Sequence, residues 1–286
     1  MGKNFEKILP YLNEKYRECT SFLRVMPDFI IFGAKKCGTT SLYNYLIQHP
    51  CIIPAKQKEI HFFGTGAYTN YNKGINWYKS NFPTIIQKRF FELFKRFALT
   101  GEASPHYISQ KLVAERIYKC LPDVKLIFIL RNPIERAYSH YNHKLTKGKE
   151  KSSFEEVVAM ELAMLKKKNT EICKEKTATT HHYNYTGYIS RGLYEQQLKK
   201  WFEFFPKKNL FFVLSEDLFK NPEEELNKLF KFLSLPEYRL KEYKKFRESA
   251  NKSGNIDAEC RKMLKEYYEP FNQKLYELLD RDLKWE

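Results

Sequence analysis

The chain has 286 residues, 43% hydrophobic and 16% aromatic, enough to bury a sizeable core as one large domain. Its formal net charge of +16 draws anions, whether nucleic acid, an acidic glycan or a phosphorylated small molecule, without choosing among them. The six cysteines form no C-x-x-C pairs and have no His at metal-ligand spacing, which argues against a zinc site or a disulfide framework and makes a reducing cytoplasm the expected compartment.

In chain order, residues 1–26 read as a helical extension before a domain spanning 27–286. The start, MGKNFEKILP, lacks the apolar centre and cleavage site of a signal peptide. Glu6 stands where a myristoylation pattern wants Ser or Thr, and no later run approaches the roughly 20 apolar residues that cross a bilayer. Phe29 to Phe32, bounded by Pro27 and Gly33, has the form of a buried parallel strand. The stretch SLYNYLIQHP then places Leu42, Tyr45 and Leu46 at helical spacing up to Pro50. VKLIFIL, Val124 to Leu130, predicts a second strand, with Pro133 in an early turn of the helix that follows. The charged, helix-prone segment from about Lys144 to Thr180 reads as an insertion over the sheet, with Lys166, Lys167 and Lys168 on a solvated face. After it come the amphipathic stretch LYEQQLKKWFEFF, a third strand at Asn209 to Leu214, a helix opening at Pro222 and a closing helix within Asp257 to Glu286. Strands alternating with helices predict an α/β fold, P-loop-like, with a central parallel β-sheet flanked by helices. The chain shows no internal repeat and no long low-complexity linker.

The stretch GAKKCGTTSL, residues 33 to 42, carries the chemistry. A glycine turn between strand and helix aims backbone N–H groups and the positive helix end at an anion, and Thr39, Thr40 and Ser41 add hydroxyl donors. A nucleotide-binding P-loop, G-x-x-x-x-G-K-[ST], has its lysine directly after the second glycine. Here Thr39 follows Gly38, the lysines come earlier as Lys35 and Lys36, and VKLIFIL ends in Arg131 rather than a magnesium-binding Asp. Those departures count against a kinase acting on a metal-bound triphosphate. Cys37 lies inside the loop, but no general base is implied beside it. The +16 charge also admits a basic nucleic-acid-binding module, for which no recognition motif is present.

GAKKCGTTSL resembles the 5′-phosphosulfate loop of sulfotransferases that use 3′-phosphoadenosine 5′-phosphosulfate (PAPS), and LRNPIERAYSHY resembles their 3′-phosphate motif, with Arg131 and Ser139 at its spacing. KEIHFF, NKGINWYKSNFP, GEASPHY, RGLYEQQLKKWFEFFP, the EDLFKNPEEELNKLFKFLSL block and YYEPFNQKLYELL extend the likeness over roughly residues 27 to 286. Their order is similar to the heparan-sulfate-type branch and its bacterial relatives. The resemblance implies PAPS as donor, 3′-phosphoadenosine 5′-phosphate (PAP) as product, and no metal. It places Lys36 on the bridging oxygen between phosphate and sulfonate, with Lys35, Cys37, Gly38, Thr39, Thr40 and Ser41 around the 5′-phosphate. Arg131 and Ser139 would hold the 3′-phosphate, and Lys252 of ANKSG is a further phosphate contact. Glu59 matches the branch's catalytic carboxylate. His61, on the same face if KEIHFF is extended, is the alternative base or an orienting group. Ala103 stands where heparan-modifying members commonly carry a lysine, which points to a different carbohydrate or a small hydroxylated or amino compound as acceptor.

Overall fold

A computed structural model describes residues 2–66, 69–171, 187–244 and 255–285. The chain forms two compact units, one of residues 1–130 and 202–246, the other of 131–201 and 247–286.

The first unit opens with helix α1 (Gly2–Cys19), whose Glu14 accepts a hydrogen bond from Trp77 Nε1 at 2.8 Å and whose Arg17 donates to the Ser80 carbonyl at 2.7 Å. Strand β1 (Phe29–Gly33) follows, then α2 (Thr39–Leu46), β2 (Ile52–Pro54), α3 (Gly74–Lys79), α4 (Ile85–Lys95), β3 (Leu99–Ala103), α5 (Val113–Cys120) and β4 (Lys125–Leu130). The described strands form one parallel sheet in the order β2-β3-β1-β4-β5, where β5 is Leu210–Leu214. Phe29 to Phe32 and Leu126 to Leu130 are completely buried, as expected of central strands covered on both faces. All strands being parallel, their carboxyl ends share one edge, where ligands of such sheets bind. The loop after β1 and the turn after β3 lie on that edge.

Strands β2 and β3 have no counterpart in the sequence reading. LTGEA lacks an apolar run, and Gly101 is there for space, because a Cβ would sit 2.5 Å from the Phe29 carbonyl oxygen.

The second unit holds α6 (Pro133–Thr146), α7 (Phe154–Glu171), α8 (Tyr194–Phe202, up to Trp201) and α11 (Ala258–Leu279), while α9 (Ser215–Lys220) and α10 (Pro222–Phe232) belong to the first. Asn132 caps α6, its Oδ1 accepting from Ile134 N at 2.9 Å, and Asp257 caps α11 in the same way. The expected insertion at 144–180 requires correction over its described part. Phe154, Val157, Val158 and Leu162 of α7 pack with Ala137, Tyr188, Leu264 and Tyr268, so the helix supplies core to this unit rather than lying on a surface. Its charged letters mask a short apolar face, which composition alone does not reveal. Residues 172–180 of that segment lie outside the described residues.

Candidate active site

Two glycines shape the loop after β1. A Cβ on Gly33 would meet the Phe128 ring at 2.3 Å, and Gly38 adopts φ +103° with the Phe219 ring 3.0 Å from a hypothetical Cβ. Neither position admits a side chain without displacement, and the second also demands the left-handed region. Gly38 is the cap residue of α2, so the loop delivers the positive end of that helix, whose first-turn N–H groups have no partner within the helix itself. Lys36 is likewise left-handed, at φ 73°. Lys35, Lys36, Gly38 and Thr40 are half-buried, whereas the side chains of Cys37, Thr39 and Ser41 are almost fully buried. Two lysines, one partly exposed hydroxyl and a helix end fit an anionic group with several oxygens. Cys37, 1% exposed, is packed as a core residue, not presented as a nucleophile.

Glu59 lies in the irregular segment after β2. Lys58 Nζ is 2.7 Å from its Oε1 and His61 Nε2 is 3.3 Å from its Oε2. The hydrogen bond from His61, followed by that from Lys58, holds the Glu59 carboxyl well below the usual carboxylate range, in spite of partial burial. His61 is brought to Glu59 by a left-handed turn, φ 53°, and not by the extended geometry expected from the sequence. The Nδ1 atom of His61 is buried and Nε2 faces Glu59, and both side chains keep partial exposure, 34% for Glu59 and 20% for His61.

Beneath this segment sits Glu102, completely buried on β3. Its carboxylate accepts hydrogen bonds from Ser104 Oγ at 2.6 Å, Tyr78 Oη at 2.8 Å and Tyr107 Oη at 3.3 Å. Two of these hydroxyls hold the Glu59 segment in turn: Ser104 Oγ accepts from His61 N at 3.1 Å and Tyr107 Oη from Phe63 N at 3.2 Å. Ser104 N also donates to the Ile31 carbonyl of β1 at 3.0 Å, which ties the segment to the edge that carries the phosphate-type loop. Burial pushes the Glu102 carboxyl up to about 6, against the pull of the hydrogen bonds from Ser104 and Tyr78. Ala103 is buried, and its N–H donates to the Lys58 carbonyl at 3.2 Å, so the cation beside Glu59 comes from Lys58.

In the second unit, Arg131, Glu135 and Ser139 recur every fourth residue and share one side of the α6 start. Arg131 and Ser139 are half-buried, and Arg131 Nη2 lies 4.0 Å from Glu135 Oε2. Tyr194 Oη fixes the Arg131 backbone by donating to its carbonyl at 2.9 Å. Lys252 lies outside the described residues.

The sulfotransferase-domain profile matches residues 26–275. The chain belongs to the sulfotransferase family. It is 31% identical over 281 residues, 91% of this chain and 74% of the relative, to human heparan sulfate glucosamine 3-O-sulfotransferase 5. It is also 31% identical over 236 residues to the bifunctional heparan sulfate N-deacetylase/N-sulfotransferase 1 of Caenorhabditis elegans, covering 81% of this chain and 24% of that one. Among solved structures, a sulfotransferase from Alicyclobacillus acidocaldarius superposes with a TM-score of 0.66 at 28% identity, covering 91% of this chain and 99% of that chain. This sulfotransferase is therefore an enzyme on the α/β, P-loop-like fold expected from its motifs.

The sequence reading singled out Glu59 and His61, which the structure brings together, and left Lys58 and Glu102 without a role. Lys58 is one of many lysines and carried no signal. Glu102 did carry one: a carboxylate inside a segment of small residues that must be buried if LTGEA is a strand.

Proposed function

We propose that this sulfotransferase moves a sulfonate from PAPS to a hydroxyl or amine of a carbohydrate or small metabolite. The 33–41 loop takes the 5′-phosphosulfate, Lys36 the bridging oxygen, and Arg131 and Ser139 the 3′-phosphate that separates this donor from ATP. The acceptor's proton passes to Glu59 as its oxygen or nitrogen bonds to sulfur. The sulfur–oxygen bond to phosphate breaks, and the adenosine bisphosphate leaves with its new charge beside Lys36. With its carboxyl held below the usual carboxylate range, Glu59 is a weak base, so it takes the proton late, once bond formation to sulfur has acidified the acceptor. Lys58 and His61 orient the carboxylate. The observation that carries this reading is the half-exposed Glu59 carboxylate, tied through Ser104 to the sheet edge that bears the phosphate-type loop. The carbohydrate class is supported by the named activities of the relatives, and the buried Ala103 favours an acceptor that needs no cation at that position. A reducing cytoplasmic setting belongs to the same proposal and is tested by fractionating the host's cells.

The experiment combines a donor assay with an acceptor screen. PAP is expected to raise Tm far more than AMP or ATP, and Arg131→Ala to erase most of that preference, through loss of a charge-assisted contact of roughly 1.5–3 kcal/mol. Equal stabilisation by all three nucleotides refutes the donor. With radiolabelled PAPS and a productive acceptor, Glu59→Gln is expected to lower turnover by roughly 10²- to 10⁴-fold with donor affinity unchanged, whereas Lys36→Ala lowers both. Near-normal turnover in Glu59→Gln with none in His61→Ala makes His61 the base instead.

A further inference from the structure

Helix α4 turns its apolar stripe to solvent. Ile86, Phe90, Leu93 and Phe94 are 75%, 57%, 82% and 70% exposed, and Phe97 just beyond the helix is exposed as well. Their spacing places the four helical ones within about 100° of one helix face. The opposite face is the one that meets the protein: Lys88 Nζ bonds both oxygens of Asp28, at 2.7 and 3.0 Å, beside half-buried Phe91 and Glu92. The stripe is held in place, with a capping box between Thr84 and Gln87 at its start. A bridge between Arg24 and Thr84 brings the turn carrying Phe22, 70% exposed, alongside. The core of this unit is already filled by the sheet and its own helices, so these side chains are surplus to it.

The border of the stripe identifies what covers it. Arg89 and Arg96, seven residues apart, are both exposed on one margin, and Lys95 is exposed further round, on a chain whose formal net charge is +16. Self-association through this face would set those cations, and two strongly positive chains, against each other. An anionic lipid surface complements them: aromatic and aliphatic side chains enter the headgroup boundary while the arginines stay with the phosphates. No helix among the described residues is long and apolar enough to cross a membrane, so contact through this face would be peripheral. We propose that the α4 face docks the enzyme on membranes rich in anionic lipid. Docking of this kind can be read without any activity.

The test is co-sedimentation of the full chain with vesicles of phosphatidylcholine alone or with about one third phosphatidylserine. The comparison protein is the double variant Leu93→Ser and Phe94→Ser, which keeps the net charge and changes only exposed positions. Wild type is expected to bind the anionic vesicles at least tenfold more tightly than the neutral ones, and the variant to lose most of that binding while keeping the wild-type Tm. Equal binding by variant and wild type would show that overall basicity alone is responsible, and it overturns the proposal. So does an absence of vesicle binding together with a wild-type dimer, seen by light scattering, that the variant converts to monomer, since the stripe is then a self-interface. Failure of either kind leaves the PAP-dependent rise in Tm untouched.

Discussion

Replacing Glu102 by Gln isolates one buried charge. Folding raises this carboxyl from its ordinary 4.5 to about 6, because burial disfavours the ionised form more than Ser104 and Tyr78 favour it. Above pH 6 the folded protein therefore holds a charge that the unfolded chain carries more easily. Below 4.5 the group is neutral in both states and the penalty vanishes. Between these values the native state binds more protons than the unfolded state, so this group's contribution to stability falls as pH rises. A rise from 4.5 to about 6 corresponds to about 2 kcal/mol at 25 °C, with no discount for solvent, since the side chain is wholly buried. Gln has no such titration. It also replaces one acceptor oxygen with a donor, disturbing the bonds from Ser104, Tyr78 or Tyr107 at a cost of about 1–3 kcal/mol. The two effects separate by pH. Urea unfolding of both proteins at pH 4.5, 6 and 7.5 is expected to show Glu102→Gln most destabilised at pH 4.5, with the gap narrowing by about 2 kcal/mol by pH 7.5. All other titrating groups are common to the two proteins and cancel in the comparison. A gap that stays constant over this range, or widens, refutes the assignment of the raised carboxyl to Glu102.

Gly38→Ala is expected to cost roughly 1–3 kcal/mol, because the new Cβ must sit at φ +103° and against the Phe219 ring, and to weaken PAP binding measured by calorimetry; a stabilised variant with wild-type affinity would show that the loop needs no glycine there. In the second unit, the buried Glu161 carboxylate accepts from the N–H groups of Tyr188, Ile189 and Ser190 and from Ser190 Oγ, all within 3.0 Å. Glu161→Ala leaves those donors without their acceptor and is expected to lower stability by at least about 3 kcal/mol, with hydrogen exchange at 188–190 accelerated more than in β4; unchanged exchange there would show that the segment is held by other contacts.

The sequence by itself determined the parts that depend on neighbours along the chain. Phe29–Phe32 and VKLIFIL are apolar enough to be read as buried strands, Pro133 and Pro222 mark helix starts, and the Gly33–Gly38 spacing defines an anion loop because strand, turn and helix end are consecutive. Glu59 was legible only through KEIHFF, since a glutamate among lysines is otherwise a surface residue. Tertiary structure decided the rest. Strand β3, which has no apolar run to announce it, is held between β1 and β2 and buries Glu102 there. The KEIHFF segment is held from outside itself, by Ser104 and Tyr107, and the left-handed His61 that completes the Glu59 pair sits in that held segment. The same holds for α7, whose short apolar face does not say which core it meets, and for α4, whose amphipathic pattern announces a helix but not which way it faces. Periodicity specifies that a face exists; only the packed surroundings determine whether that face is covered.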